Sequence, residues 1–148
     1  MTEDVAVIKS WGPRAETAAE CAERLRVSLS RIPTQRDVYS DWCVYPGGGA
    51  DGPDDLLPAS KDLDSLIELT EATVLRNDRG ELMPGGGFSP LLTRLHRDRA
   101  ADYRVRCGVV SRRLGNHGLL ESPHPAHADP ISQDENVMRG ALLALVDT

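Results

Sequence analysis

Asp102-Tyr103-Arg104-Val105-Arg106-Cys107-Gly108-Val109-Val110-Ser111 is the stretch on which the fold turns. Tyr103, Val105, Cys107 and Val109 alternate with Arg104, Arg106, Gly108 and Val110, the period of a strand with one buried face and one wet face. The first set reads as core and the second as a basic surface. Alternation this clean belongs to antiparallel sheets covered on one side only, so the flanking segments must supply the cover.

Upstream, residues 4–11 read as a strand, with Val5 and Val7 on one face and Ala6, Ile8 and Ser10 on the other, stopped by Gly12-Pro13. Thr17-Ala18-Ala19-Glu20 then has the form of a capping box, in which hydroxyl and carboxylate each satisfy an orphan backbone donor. Ala18, Cys21, Ala22, Leu25, Leu29 and Ile32 recur at helical spacing behind it, and Pro33 ends the pattern. Residues 41–45 make a short aromatic strand. A second amphipathic helix spans 61–76, capped by Ser60, with Leu63, Leu66, Ile67, Thr70 and Val74 inward. Residues 88–94 form a further strand, which Pro90 assigns to an edge of the sheet. Pro46-Gly47-Gly48-Gly49 and Pro84-Gly85-Gly86-Gly87 are turns with unmatched flanks.

Downstream, Gly115-Asn116 turns the chain, Leu119-Leu120 adds a short strand, and 124–130 is an irregular loop. Ser132-Gln133-Asp134-Glu135 repeats the capping-box form before a last helix carrying Val137, Met138, Ala141, Leu142 and Leu145. Helices and strands that do not alternate as regular units predict one α+β domain over residues 1–148: a mostly antiparallel sheet of about four strands packed with three helices. Its predicted core contains Trp11, Cys21, Leu25, Leu66, Val105, Cys107, Val109 and Leu142.

With 148 residues, 40% of them hydrophobic, the chain has room for a single core. No run approaches the roughly 20 apolar residues of a membrane span, and Met1-Thr2-Glu3-Asp4 lacks the layout of a signal peptide, so the expectation is a cytoplasmic protein without a membrane partner. Cys21, Cys43 and Cys107 form neither a disulfide framework nor a metal or redox motif, and read as buried free thiols.

The net charge of −6 is unevenly placed. Residues 51–71 alone sum to −6, through Asp51, Asp54, Asp55, Asp62, Asp64, Glu68 and Glu71 against Lys61, whereas residues 72–114 sum to +5. A field of that sign repels phosphate backbones and attracts basic protein surfaces, which argues against direct nucleic-acid binding. A solvated face that keeps a small domain soluble is the plainer reading of the same run.

The chemical constellations are weak. His117, His124 and His127 in a loop could offer imidazoles to zinc, but Pro123, Pro125 and Pro130 exclude the helix that a His-Glu-x-x-His site needs. A metal-dependent hydrolase using those histidines is one alternative function. Neither Gly-rich turn continues into the Gly-Lys-Ser/Thr of a phosphate-binding loop, and no nucleophile elbow is present. Asp51-Gly52-Pro53-Asp54-Asp55 lacks the spacing and terminal Glu of a calcium loop. A small-molecule-binding module using Arg104 and Arg106 is a further alternative. No catalytic residue, metal or cofactor is assigned.

The opening Ser10-Trp11-Gly12-Pro13-Arg14-Ala15-Glu16-Thr17, leading into Cys21-Ala22-Glu23-Arg24-Leu25, resembles the immunity protein 52 family of bacterial polymorphic toxin systems. The likeness extends to a second helix, the Gly-rich passage at Pro84, the Cys107-Gly108 pair, Asn116, Glu121-Ser122-Pro123 and a final apolar helix. Family members usually continue to a Trp-containing end, and the acidic run from Asp51 to Asp55 has no family counterpart. The resemblance implies an α+β protein that binds and blocks a cognate toxin, often a nuclease of the restriction-endonuclease type. Trp11, Gly12, Arg14, Glu16, Cys107 and Gly108 are then family-motif positions with structural roles, Arg14 and Glu16 being placed to pair across the turn. The toxin-binding surface is expected on Asp51, Asp54, Asp55, Asp62, Asp64 and Glu68, where an acidic patch can mimic a nucleic acid.

Overall fold

A computed structural model describes residues 6–32, 41–44, 57–96, 99–121 and 135–146. In chain order the elements are β1 (Ala6–Trp11), α1 (Ala18–Arg31), β2 (Cys43–Val44), β3 (Leu57–Pro58), α2 (Leu63–Ala72), β4 (Leu91–His96), β5 (Arg99–Arg106), β6 (Asn116–Glu121) and α3 (Glu135–Val146). The strands form one antiparallel sheet in the order β1-β6-β5-β4-β2-β3, so the fold is α+β with three helices.

The sheet has six strands rather than about four. The expected strand at 41–45 is seen as β2, only two residues long, whereas β3, also two residues, is too short for a period of two to show in the sequence, and Pro58 hides it further. The expected edge strand at 88–94 is also corrected: β4 starts at Leu91 and lies between β5 and β2. Pro90 is tolerated there because it precedes the strand, where its missing N–H costs nothing and its carbonyl accepts from the Val105 N–H at 3.1 Å.

β5 is the spine of the sheet. Tyr103, Val105 and Cys107 are buried as the alternation predicts, and Arg104 is exposed. Regular pairing ends at Arg106. Gly108, at φ 73, then bends the chain so that Val109 still turns inward. In register, Val7, Leu120, Tyr103 and Leu92 stand side by side on the buried face, while Ile8, Leu119, Arg104 and Leu91 form the matching row on the opposite face.

The helices cover the first of those faces. Thr17 and Glu20 make the predicted capping box, the Glu20 N–H donating to Thr17 Oγ1 at 3.2 Å and the Thr17 N–H to Glu20 Oε2 at 2.8 Å. Cys21, Ala22, Leu25, Leu29 and Ile32 are buried. Tyr103 donates to Ser28 Oγ at 2.6 Å, which satisfies a phenol deep in the core; burial pushes its pKa up to about 12.

α2 is shorter than the 61–76 expected, and its cap is Asp62 rather than Ser60. The Asp62 carboxylate accepts from the N–H groups of Asp64 and Ser65, while Ser60 Oγ only accepts from the Asp62 N–H outside the helix. Leu66 and Thr70 are the buried positions of α2. In α3, Ala141, Ala144 and Leu145 face the core, and Leu142 is 47% exposed, against expectation. An apolar helix offers more than one stripe, and the small Ala141 and Ala144 let the backbone approach the sheet, placing Leu145 Cδ2 near Gly118. Trp11 is half-buried rather than fully buried, whereas Cys21, Leu25, Leu66, Val105, Cys107 and Val109 are core as predicted. Trp42, Leu92 and Leu120 complete that core.

None of the described helices is long and apolar enough to cross a membrane. The capping box at 132–134 and the loop at 124–130 lie outside the described residues.

Candidate functional site

Three groups of side chains stand out, and the first gathers the family-motif positions. Trp11 ends β1, Gly12 and Arg14 lead to Glu16 just before α1, Cys107-Gly108 follows β5, and Asn116 starts β6. The fold brings these separated positions together. Asn116, buried, accepts from the Val109 N–H at 2.9 Å and donates to the carbonyls of Gly12 (2.9 Å) and Val109 (3.0 Å), and the Arg14 N–H donates to the Val109 carbonyl at 2.9 Å. One side chain therefore clamps the exit of β1 to the exit of β5.

Glu16 is the charged centre of this cluster, its side chain only 2% exposed. Arg14, placed by the sequence to pair with it, approaches at 3.7 Å, but the stronger partner is Arg24, whose Nη2 lies 3.0 Å from Glu16 Oε1. The Arg24 guanidinium also stacks on the Trp11 ring, 4.5 Å from its centroid, with Lys9 Nζ at 5.9 Å. Cys21 Sγ donates to Glu16 Oε2 at 3.7 Å. A hydrogen bond with Cys107, then burial, pushes the Cys21 thiol above its usual range. Gly108 is required here, because a β-carbon would stand 3.0 Å from the Glu16 carbonyl oxygen. The cluster ties the exits of β1 and β5 to the start of α1.

The second group is acidic. Asp51, Asp54 and Asp55 lie outside the described residues, and Asp62, Asp64 and Glu68 are exposed at the start of α2. Asp62 is committed to the cap: hydrogen bonds from the Ser65 hydroxyl and N–H, with that of Asp64, lower its pKa. Asp64, Glu68 and Glu71 follow the i, i+4, i+7 spacing of one helix face, all exposed, and none joins an ion pair among the described residues.

The third group is basic and lies on the sheet face opposite the helices. Arg104 and Arg106 project from β5; Arg106 pairs in register with His117, which in turn pairs with Ser10, and Arg104 pairs with Leu119, which pairs with Ile8. His117 is thus a strand residue and not part of a loop; His124 and His127 lie outside the described residues. Burial, and then the positive field of Arg106 and Arg104, hold the His117 pKa below its ordinary value. Beside it runs a shallow groove of about 320 Å³ lined by Ile8, Ser10, Trp11, His117 and Leu119 among others. No group of three or more His, Cys, Asp or Glu side chains among the described residues could hold a metal ion.

Sequence reading missed Arg24 and the clamping role of Asn116, since neither follows from local spacing. Comparison of the chain with protein-family models, curated proteins and solved structures finds no match.

Proposed function

We propose that this protein is an immunity protein, acting in the bacterial cytoplasm as a stoichiometric inhibitor that binds a cognate toxin, a nuclease in the simplest case, and has no active site of its own. The observation that carries the reading is the face of Asp64, Glu68 and Glu71, three exposed carboxylates without ion-pair partners among the described residues, held on a helix whose other side is anchored by Leu66. A nuclease must present Lys and Arg to grip a phosphate backbone, and a rigid acidic helix competes for that surface with fast, salt-sensitive association. The resemblance of the Trp11-to-Leu25 opening to immunity protein 52 members points the same way, and the residues that carry it meet in one structural cluster. That cluster builds the scaffold, while the acidic helix does the recognising.

The test starts from the neighbouring gene. Its product, if a toxin, is inhibited in a one-to-one complex, and the variant Glu68→Lys/Glu71→Lys, both beyond the first turn of α2, associates at least about ten-fold more slowly at low ionic strength, the scale of lost electrostatic steering. An unchanged association rate in low salt, where charges act over about 30 Å, would make the acidic helix a solvated face only.

A further inference from the structure

Cys21 and Cys107 stand far apart in sequence and meet in the core. Cys21 lies near the start of α1 and Cys107 directly after β5; both are completely buried, and a hydrogen bond joins their thiols. Their surroundings hold that meeting from both sides. Cys21 Sγ donates to Glu16 Oε2 at 3.7 Å, and Gly108, the residue after Cys107, passes so close to Glu16 that a β-carbon on it would stand 3.0 Å from the Glu16 carbonyl oxygen. Cys43, expected to be buried like the other two, is instead half-buried on β2, its thiol donating to the Asp41 carbonyl at 3.5 Å.

We propose that Cys21 and Cys107 are a peroxide-responsive pair that closes to a reversible disulfide, tying the start of α1 to the exit of β5. The contact carries the argument. Two sulfurs already in hydrogen-bond contact need only close to roughly 2.05 Å, a step that demands no rearrangement of the backbone around them. The bond would cross the junction that Asn116 clamps, so it forms within the folded chain. Cys107 sits where the sheet gives out: regular pairing ends at Arg106, and the half-buried Phe88 holds the Cys107 backbone by hydrogen bonds of 2.9 and 3.1 Å. Local opening at such a margin admits a small hydroperoxide. The Cys107 sulfur takes one peroxide oxygen and becomes a sulfenic acid, while the rest of the peroxide leaves as an alcohol, or as water from hydrogen peroxide. The Cys21 sulfur then attacks the Cys107 sulfur, the S–O bond breaks, and the departing hydroxide leaves as water with the Cys21 proton, which Glu16 Oε2 is placed to relay. Two thiols are thus oxidised by two electrons and the O–O bond is reduced. A reducing compartment returns such a pair to thiols, the behaviour of disulfides that serve as sensors.

The test uses the full chain with Cys43→Ser, treated with hydrogen peroxide. Expected are a mass lower by two hydrogens, a peptide map joining Cys21 to Cys107, recovery of both thiols with dithiothreitol, and a thermal midpoint raised by roughly 5–15 °C in the oxidised form. Cys21→Ala in the same background should stop Cys107 at the sulfenic acid, captured by dimedone; the peptide map of the Cys43→Ser chain decides the proposal whether or not this variant folds. Both thiols still titratable after peroxide, a link formed only in urea-unfolded chain, or a lower midpoint in the oxidised form would each overturn the inference. None of these readouts involves a toxin, so its failure and that of the inhibitor reading are separable.

Discussion

Arg24 Nη2 lies 3.0 Å from Glu16 Oε1, and both side chains are withdrawn from water, 13% and 2% exposed. A buried pair adds little over a well-packed apolar pair, but losing one partner strands the other charge without solvent. Glu16→Gln is therefore expected to cost about 3–5 kcal/mol, read as a fall in the urea midpoint with an unchanged slope. A loss below about 1 kcal/mol would show that Arg24 finds water or another partner.

The same pair shows what a sequence discloses and what it does not. Thr17 and Glu20 are three residues apart, and the reach of their side chains within one helical turn dictates the capping box whatever surrounds it. The alternation over Tyr103 to Val109 is equally local, and it survives even the bend at Gly108. Glu16 and Arg24 meet only because α1 winds two turns between them against Trp11, which spacing alone does not single out from the nearer Arg14. Leu142 fails for a related reason: which stripe of an apolar helix faces inward depends on a sheet it cannot see locally. Of the expected acidic surface, Asp62, Asp64 and Glu68 are exposed as their polar spacing indicates, but the cap role of Asp62 depends on where the helix starts.

Leu25 is fully buried on α1, facing the sheet. Leu25→Ala removes contacts that the surrounding core cannot fully close over, and should cost about 2–5 kcal/mol in chemical denaturation. A smaller cost, with native spectra, would mean that the helix settles onto the sheet and fills the space.

Gly87 has φ 70 and passes against the segment that follows β5, where a β-carbon would collide with the Cys107 carbonyl oxygen and stand 2.9 Å from the Gly108 carbonyl carbon. Gly87→Ala thus combines a left-handed backbone with a backbone clash, and should destabilise by more than about 1 kcal/mol. Gly80, also at positive φ but with open space around it, should tolerate Ala better; equal losses at the two sites would assign the whole effect to φ.

His117 gives a pH signature. Its folded pKa is lowered, first by burial and then by Arg106 and Arg104, so near its ordinary value of about 6.5 the unfolded chain binds the proton more readily. The contribution of His117 is therefore present above that value and is lost as pH falls toward the folded one. His117→Gln should flatten this part of the stability profile between about pH 7.5 and 5, and Arg106→Gln should raise the His117 pKa measured by NMR. A pKa unmoved by Arg106→Gln would leave burial and the Arg104 charge as the causes.

Asp62, Asp64 and Glu68 carry the same charge along one helix, yet should not respond alike to reversal. Asp62 accepts from the backbone of Asp64 and Ser65, so Asp62→Lys deletes the cap of α2 and places a cation at the positive end of the helix. Asp64 and Glu68 make no comparable bond, and Glu68→Lys in particular should leave the thermal midpoint nearly unchanged. The lowered Asp62 pKa adds an acid signature: its stabilisation is present above the ordinary carboxylate value and fades as pH falls through the lower folded one. Asp62→Asn, which keeps an acceptor but cannot titrate, should remove that acid-limb contribution at modest cost near neutrality. Thermal unfolding of the single variants across pH checks both claims, and equal midpoints for Asp62→Lys and Glu68→Lys would show that the cap is dispensable. A slower toxin association seen with Asp62→Lys alone would mix recognition with fraying of α2, which is why Glu68 and Glu71, beyond the first turn, are the positions that isolate the charge.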